Sequence, residues 1–437
     1  MSARAWRATL CLGAVVAAAV MAVPIVAQHQ HGPATAAQES SLAFRTGEIR
    51  GPQAGASATP TVAFDRAGRL WAVWFEASHV YVSASADAGR TFAPAVQVTT
   101  VPEDVDANGE GRPKIAAAAN GDLYASWTRK GSKPYTGDIR FSRSLDGGRT
   151  FSAPVTVNDD GLAIGHRFDA LHVGPGGTIY LAWIDKRDLE QATGAGHEYH
   201  GAALYYALST DRGATFLANR KLKENVCECC RIANDFDGDV PVVFWRDIID
   251  GTTRDHGITR FSEPDRPGAP RRATHDGWKI DACPHHGPSL SISSDGTYHL
   301  AWFTGDGPEG AGVFYARSSD RGETLTPPMR VGSPNAFGHA FVLSRGRTVY
   351  LVWKEAVQPR GMSIRLLKST DAGRSWSAGI EAARTMAGSD HPFLVARQDQ
   401  VFLSWFTGAE GLRMIDVETA IVRGGTALAL PRPRFRW

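Results

Sequence analysis

The chain has 437 residues, with 47 Lys and Arg against 45 Asp and Glu and a formal net charge of +2. That near-neutral balance, with no basic run interleaved with aromatics, excludes nucleic acid as the expected partner. The 46 Gly, 24 Pro and 12 Trp, without long helical periodicity, read as an all-β protein rich in turns.

Arg4 and Arg7 precede an apolar run from Leu10 to Ala27, broken by Pro24 and followed by the polar Gln28-His29-Gln30-His31. This pattern predicts a signal peptide over residues 1–27, so the mature chain is expected to be exported, periplasmic or extracellular. Cys11 follows Leu10 rather than a small residue and does not read as a lipoprotein site. No later segment is apolar enough to span a bilayer.

From residue 57 onward two patterns alternate. The first is a short strand, a turn and a second strand ending in Trp, as in PTVAFDRAGRLWAVW ending at Trp74 and PKIAAAANGDLYASW ending at Trp127. It recurs with endings at Trp183, Trp245, Trp302, Trp353 and Trp405, a spacing of 51 to 62 residues. A period of that length with four short strands per unit predicts propeller blades. The second pattern follows each Trp strand: SASADAGRTF (83–92), SRSLDGGRTF (142–151), LSTDRGATF (208–216), RSSDRGETL (317–325) and KSTDAGRSW (368–376). In each, the Asp (Asp87, Asp146, Asp211, Asp320, Asp371) is expected to accept hydrogen bonds within its own turn. The Gly supplies a positive φ, and the Thr and aromatic start the next strand. The fourth repeat, around Phe261–Pro267, is degenerate, and the seventh lacks the box.

These five in-register Asp boxes resemble those of the sialidase-like superfamily, over nearly the whole mature chain. The resemblance implies a β-propeller whose boxes are structural and lie away from the active site. Sialidases proper resemble six-bladed propellers. The seven Trp strands here favour seven four-stranded blades over residues 57–437, with six blades and an extra hairpin as the alternative. Within the N-terminal segment 28–56, residues around Leu42–Arg50 are expected to pair with the C-terminal end and close the ring.

Strand alternation sorts the loops. Turns between first and second strands share one face with the Asp boxes. The opposite face carries the second-to-third-strand loops and the links between blades, which are long: 129–138, 184–202, 246–257 and 275–287. Long loops on one face of a rigid scaffold are where function concentrates. The residues entering the inner strands on that face are Arg112, His166 and Arg167, Cys229, Cys230 and Arg231, His285 and His286, His339, and His391. They form a candidate functional ring, although any wet channel mouth also collects polar side chains.

Cys227-Glu-Cys229-Cys230 and Cys283-Pro-His285-His286 occupy equivalent links of adjacent blades and are expected to be neighbours. Disulfides stapling the blades are one outcome in an exporting compartment. A copper or zinc site is another, built from Cys227, Cys229, Cys230, Cys283, His285 and His286, with His197, His200, His339 and His391 in reserve. A thiol cluster with no ligand is the third.

Resemblance to sialidases further implies three arginines around a substrate carboxylate, a Tyr–Glu nucleophile pair and an acid/base Asp. The usual Arg-Ile-Pro motif is replaced here by Ala58-Thr59-Pro60-Thr61. Arg112, Arg167 and Arg231 are substitutes, or else ion-pair partners of Asp169, Asp185, Asp247 or Glu355. Asp185 and Glu355, each just past a blade Trp, are candidate catalytic carboxylates, and Glu198-Tyr199 a candidate pair. Two functions follow: a binding, assembly or metal-binding propeller with a glycan or protein ligand, or a glycoside hydrolase acting on acidic glycans. The missing motif favours the first.

Overall fold

The computed structural model describes residues 59–425. The predicted signal peptide and the closing strand near Leu42–Arg50 lie outside the described residues.

The repeats become seven antiparallel sheets of consecutive strands. Their inner strands are Thr61–Phe64, Lys114–Ala117, His166–Val173, Ala233–Asp237, Ser289–Ile292, Ala336–Arg345 and Phe393–Arg397. Each touches the next, and the first also touches the seventh, so the ring closes with seven blades rather than six. Closure between the first and last blades is made by apolar packing of Val62, Leu70 and Ala72 against Leu412, with Val395 and Phe406 alongside. The seventh sheet has three strands among the described residues. Where a box hairpin would follow, the chain instead forms helix α2, Val417–Gly425, which buries Val417 against the sixth and seventh blades.

The repeated Trp explains how the blades stack. Trp127, Trp183, Trp245, Trp302, Trp353 and Trp405 each pack with residues of the preceding blade, and all are buried. A side chain of that size fills the wedge between two twisted sheets, and its indole N–H needs an acceptor when buried. The acceptors are carboxylates in five blades. Trp74 donates to Glu76 (3.1 Å), Trp127 to Glu103 (2.7 Å), Trp183 to Asp185 (2.8 Å), Trp302 to Asp276 (2.8 Å) and Trp353 to Glu355 (3.0 Å).

The Asp boxes are turn devices, as expected. In the fifth blade the Ser318 hydroxyl donates to Asp320 (2.6 Å). Thr324 donates its N–H (2.9 Å) and hydroxyl (2.6 Å) to the two carboxylate oxygens. These bonds pull the Asp320 carboxyl down to about 2. Asp87, Asp146, Asp211 and Asp371 make the same set. The box Gly has a second reason besides its positive φ. A Cβ on Gly148 (φ +81°) would sit 2.4 Å from Trp71 of the preceding blade, and one on Gly213 (φ +75°) 2.7 Å from Phe141.

Candidate functional site

The long loops lie on the face opposite the boxes, and the second-to-third-strand loop of the third blade carries helix α1, Arg187–Gly194. On that face the link entering the second blade reaches over the axis. Glu110, buried within it, accepts the backbone N–H of Arg231 (2.7 Å) from the fourth blade and of Gly287 (3.1 Å) from the fifth, both on Oε2. Its other oxygen, Oε1, lies 3.2 Å from Arg231 Nη1, 3.4 Å from His339 Nδ1 and 3.3 Å from His391 Nδ1. Five blades thus converge on one carboxylate.

Arg112 and Arg231 line a cavity at the channel mouth, Arg167 lies over Tyr135 and Phe168, and each of the three is bound to a carboxylate. Arg112 pairs with Asp390 and also donates to Pro60 O (3.1 Å). Arg167 donates twice to Asp106, from Nε (2.9 Å) and Nη2 (2.6 Å). Arg231 pairs with Glu110 and donates to Ala340 O (2.7 Å). The partners are therefore Asp390, Asp106 and Glu110, not the Asp169, Asp185, Asp247 or Glu355 expected. These carboxylates also sit on inter-blade links, each on a different link from the arginine it binds. Registering acidic as well as basic residues at each link would have found them. Below Glu110 a cavity of about 210 Å³ is lined by Arg112, Lys114, Asp169, Arg231 and Phe393.

The candidate catalytic carboxylates do not meet there. Asp185 accepts the Trp183 indole and is gripped by Arg187, whose Nη2 lies 2.8 Å away. Glu355 accepts Trp353 and the Ser333 N–H (2.9 Å). Each is committed to its own blade. Tyr199 is half-buried, which pushes its hydroxyl up to about 12, the wrong direction for a nucleophile, while Glu198 is exposed and lies beside His200 (3.3 Å).

The histidines divide. His166 turns away from the mouth, with Nδ1 2.8 Å from Gly137 O and Nε2 3.0 Å from Asp160. His285 is exposed, with φ 52°. His286, His339 and His391 stack along the axis, with ring centroids 4.6 Å apart for the first pair and 3.5 Å for the second.

The cysteines meet as expected, but not as disulfides. All four are free. Cys227 Sγ lies 3.7 Å from both Cys229 and Cys230, and these two are 4.0 Å apart. A disulfide needs about 2.05 Å, and three sulphurs spaced equally on a triangle leave none of them paired. Cys283, exposed, approaches Cys229 and lies 3.7 Å from the Glu228 carboxylate. The Cys227 thiol is pulled well down by the neighbouring thiols and Arg246, whereas burial drives Cys229 well up and Cys230 to about 12. One thiolate in this group suppresses the ionisation of the others, which is the expected behaviour of like charges in a dry site.

No protein-family model matches the chain, and no curated protein matches it. Among solved structures, an ulvan lyase from a polysaccharide-lyase family superposes with a TM-score of 0.54 at 13% identity, covering 85% of this chain and 94% of that one. An α-L-arabinanase of Penicillium chrysogenum gives 0.48 at 16% identity over 72% and 94%. A leech intramolecular trans-sialidase gives 0.47 at 12% identity over 82% and 84%. At 13% identity the likeness to the ulvan lyase speaks to the fold alone. Among the described residues no helix is long and apolar enough to cross a membrane.

Proposed function

We propose that this protein is an exported propeller that binds a thiophilic metal ion, copper(I) or zinc, through Cys227, Cys229, Cys230 and Cys283 on its loop-rich face. The observation that carries this is the sulphur triangle. Thiolates bound to one zinc at about 2.3 Å stand about 3.8 Å apart along the edges of the tetrahedron, and the three observed edges are 3.7, 3.7 and 4.0 Å. Three thiolates this close in a buried site repel one another, and a bound cation offsets that repulsion. The sulphurs of Cys227, Cys229 and Cys230 lie within 4.8 Å of one another and form a three-sulphur set suited to copper(I); Cys283, outside that set, would have to swing in from Glu228 to complete a four-sulphur zinc site. Because Cys283 is exposed while the other three are buried, it also marks the side from which an ion would enter.

The glycan-hydrolase reading draws on the fold alone. Against it stand the arginines already paired with Asp390, Asp106 and Glu110 and the two carboxylates already bound to tryptophans. The test is the metal content of protein purified from an export compartment, with a thiol count after denaturation. The expected result is thiol-bound copper or zinc, about one equivalent per chain of which is lost in Cys227→Ser/Cys229→Ser. A metal-free protein whose cysteines are all oxidised would overturn the proposal and send the search to acidic glycans.

A further inference from the structure

We infer that Glu110, His339 and His391, with His286 at their edge, form a second metal site on the propeller axis, suited to a borderline divalent cation such as zinc or copper(II). It shares no ligand with the thiol cluster and does not rest on that assignment.

The ligand atoms of Glu110, His339 and His391 all lie within 4.8 Å of one another. His339 Nδ1 and His391 Nδ1 lie 3.4 and 3.3 Å from Glu110 Oε1. Nitrogen and oxygen ligands at about 2.0–2.1 Å from zinc stand about 3.3–3.4 Å apart. The His391 contact is not in hydrogen-bonding geometry: its Nδ1 is buried without a hydrogen-bond partner, and so is His286 Nδ1. Burying such an atom costs free energy unless something satisfies it. Imidazole and carboxylate together suit zinc or copper(II) better than a soft monovalent ion.

The backbone is shaped to hold this group. A Cβ on Gly109 would lie 2.3 Å from the His391 ring, one on Gly287 2.6 Å from Glu110, and one on Gly338 (φ +91°) 2.7 Å from His286. His339 itself takes a φ of 51°, a conformation that costs a non-glycine residue energy and persists only where its surroundings enforce it. The N–H groups of Arg231 and Gly287 hold Glu110 through Oε2, and Oε1 faces the Arg231 guanidinium and the two histidines. This is the kind of outer hydrogen bonding that orients metal-binding carboxylates. The neighbouring cavity is lined by Glu110 but by none of the three histidines, and its Arg112, Lys114 and Arg231 favour an anion.

By contrast, the third grouping of this kind, Asp160, His166 and Asp185, is already used up. Both His166 nitrogens have hydrogen-bond partners, which leaves no ligand nitrogen over.

The test is a cobalt(II) titration of the metal-stripped full chain, followed by absorption. Thiolate-bound cobalt shows intense sulphur-to-metal charge transfer; nitrogen- and oxygen-bound cobalt shows only weaker visible bands. The expected uptake is two equivalents, one of each kind. His391→Phe keeps the ring stack but removes the ligand nitrogen. It should abolish the second equivalent and leave the charge-transfer band unchanged, and His339→Phe serves the same purpose if that variant fails to fold. Absence of a non-thiolate equivalent in the wild-type chain, or its persistence in the histidine variant, would overturn the axial site. Loss of the charge-transfer band alone would refute the thiol site and leave this one standing.

Discussion

The Glu110–Arg231 pair at the axis makes a quantitative claim about what holds the channel mouth together. Both side chains are buried, 2% and 10% exposed, and Glu110 also accepts two backbone N–H groups. Glu110→Gln keeps an oxygen for those N–H groups but leaves the Arg231 charge buried without its partner, a change expected to cost about 3–5 kcal/mol. Arg231→Met leaves the carboxylate charged and buried at a similar cost, and also loses the bond to Ala340 O, worth about 1 kcal/mol. The double variant buries neither charge. It should lie within about 1–2 kcal/mol of the wild type, so that the cycle yields a coupling of several kcal/mol. Urea unfolding of the four proteins, with chelator present throughout to remove any metal contribution, measures it. Single-variant effects that simply add, within about 0.5 kcal/mol, would mean that the pair is screened by water and that the mouth is wetter than its burial indicates.

His299, buried between Ser293 (2.8 Å) and the Tyr315 hydroxyl (2.7 Å), has its pKa lowered by burial to about 4. The unfolded chain then binds the proton more readily, so stability present above about pH 6.5 is lost as pH falls towards 4, by roughly 3 kcal/mol. His299→Gln should flatten that part of a pH–stability profile. Below it, the Asp320 carboxyl, held near 2 by its box, adds stability that disappears between about pH 4 and 2, which acid unfolding of Asp320→Asn checks by its shallower loss. Gly287→Ala, whose Cβ would sit 2.2 Å from Arg231 and 2.6 Å from Glu110, is expected to cost at least 1–3 kcal/mol in denaturant unfolding, as overpacking does. Trp183→Phe should lose about 1–3 kcal/mol, because it opens the wedge between the second and third blades and removes one donor from an Asp185 oxygen that Arg187 continues to hold.

Local patterns carried most of the fold. Five Asp boxes and seven Trp strands, each explained by turn chemistry or strand alternation, were enough to place every blade and to sort the loops onto two faces. The same grammar places Cys227, Cys229, Cys230 and Cys283 together, because equivalent links of neighbouring blades are adjacent in space. What strand alternation cannot express is direction across the axis. His166 and His391 enter their blades at equivalent positions, yet one turns to Gly137 and Asp160 and the other stacks on His339. Asp185 and Glu355 looked free to act and proved to be acceptors for Trp183 and Trp353, because a buried indole claims the nearest carboxylate. Glu110 is the clearest case. Nothing local distinguishes it from other acidic loop residues, and its meaning comes from four other blades that contact it from elsewhere in the chain. Turn and strand rules act over a few residues and are written in the sequence, whereas a carboxylate shared by five blades exists only once the ring has closed.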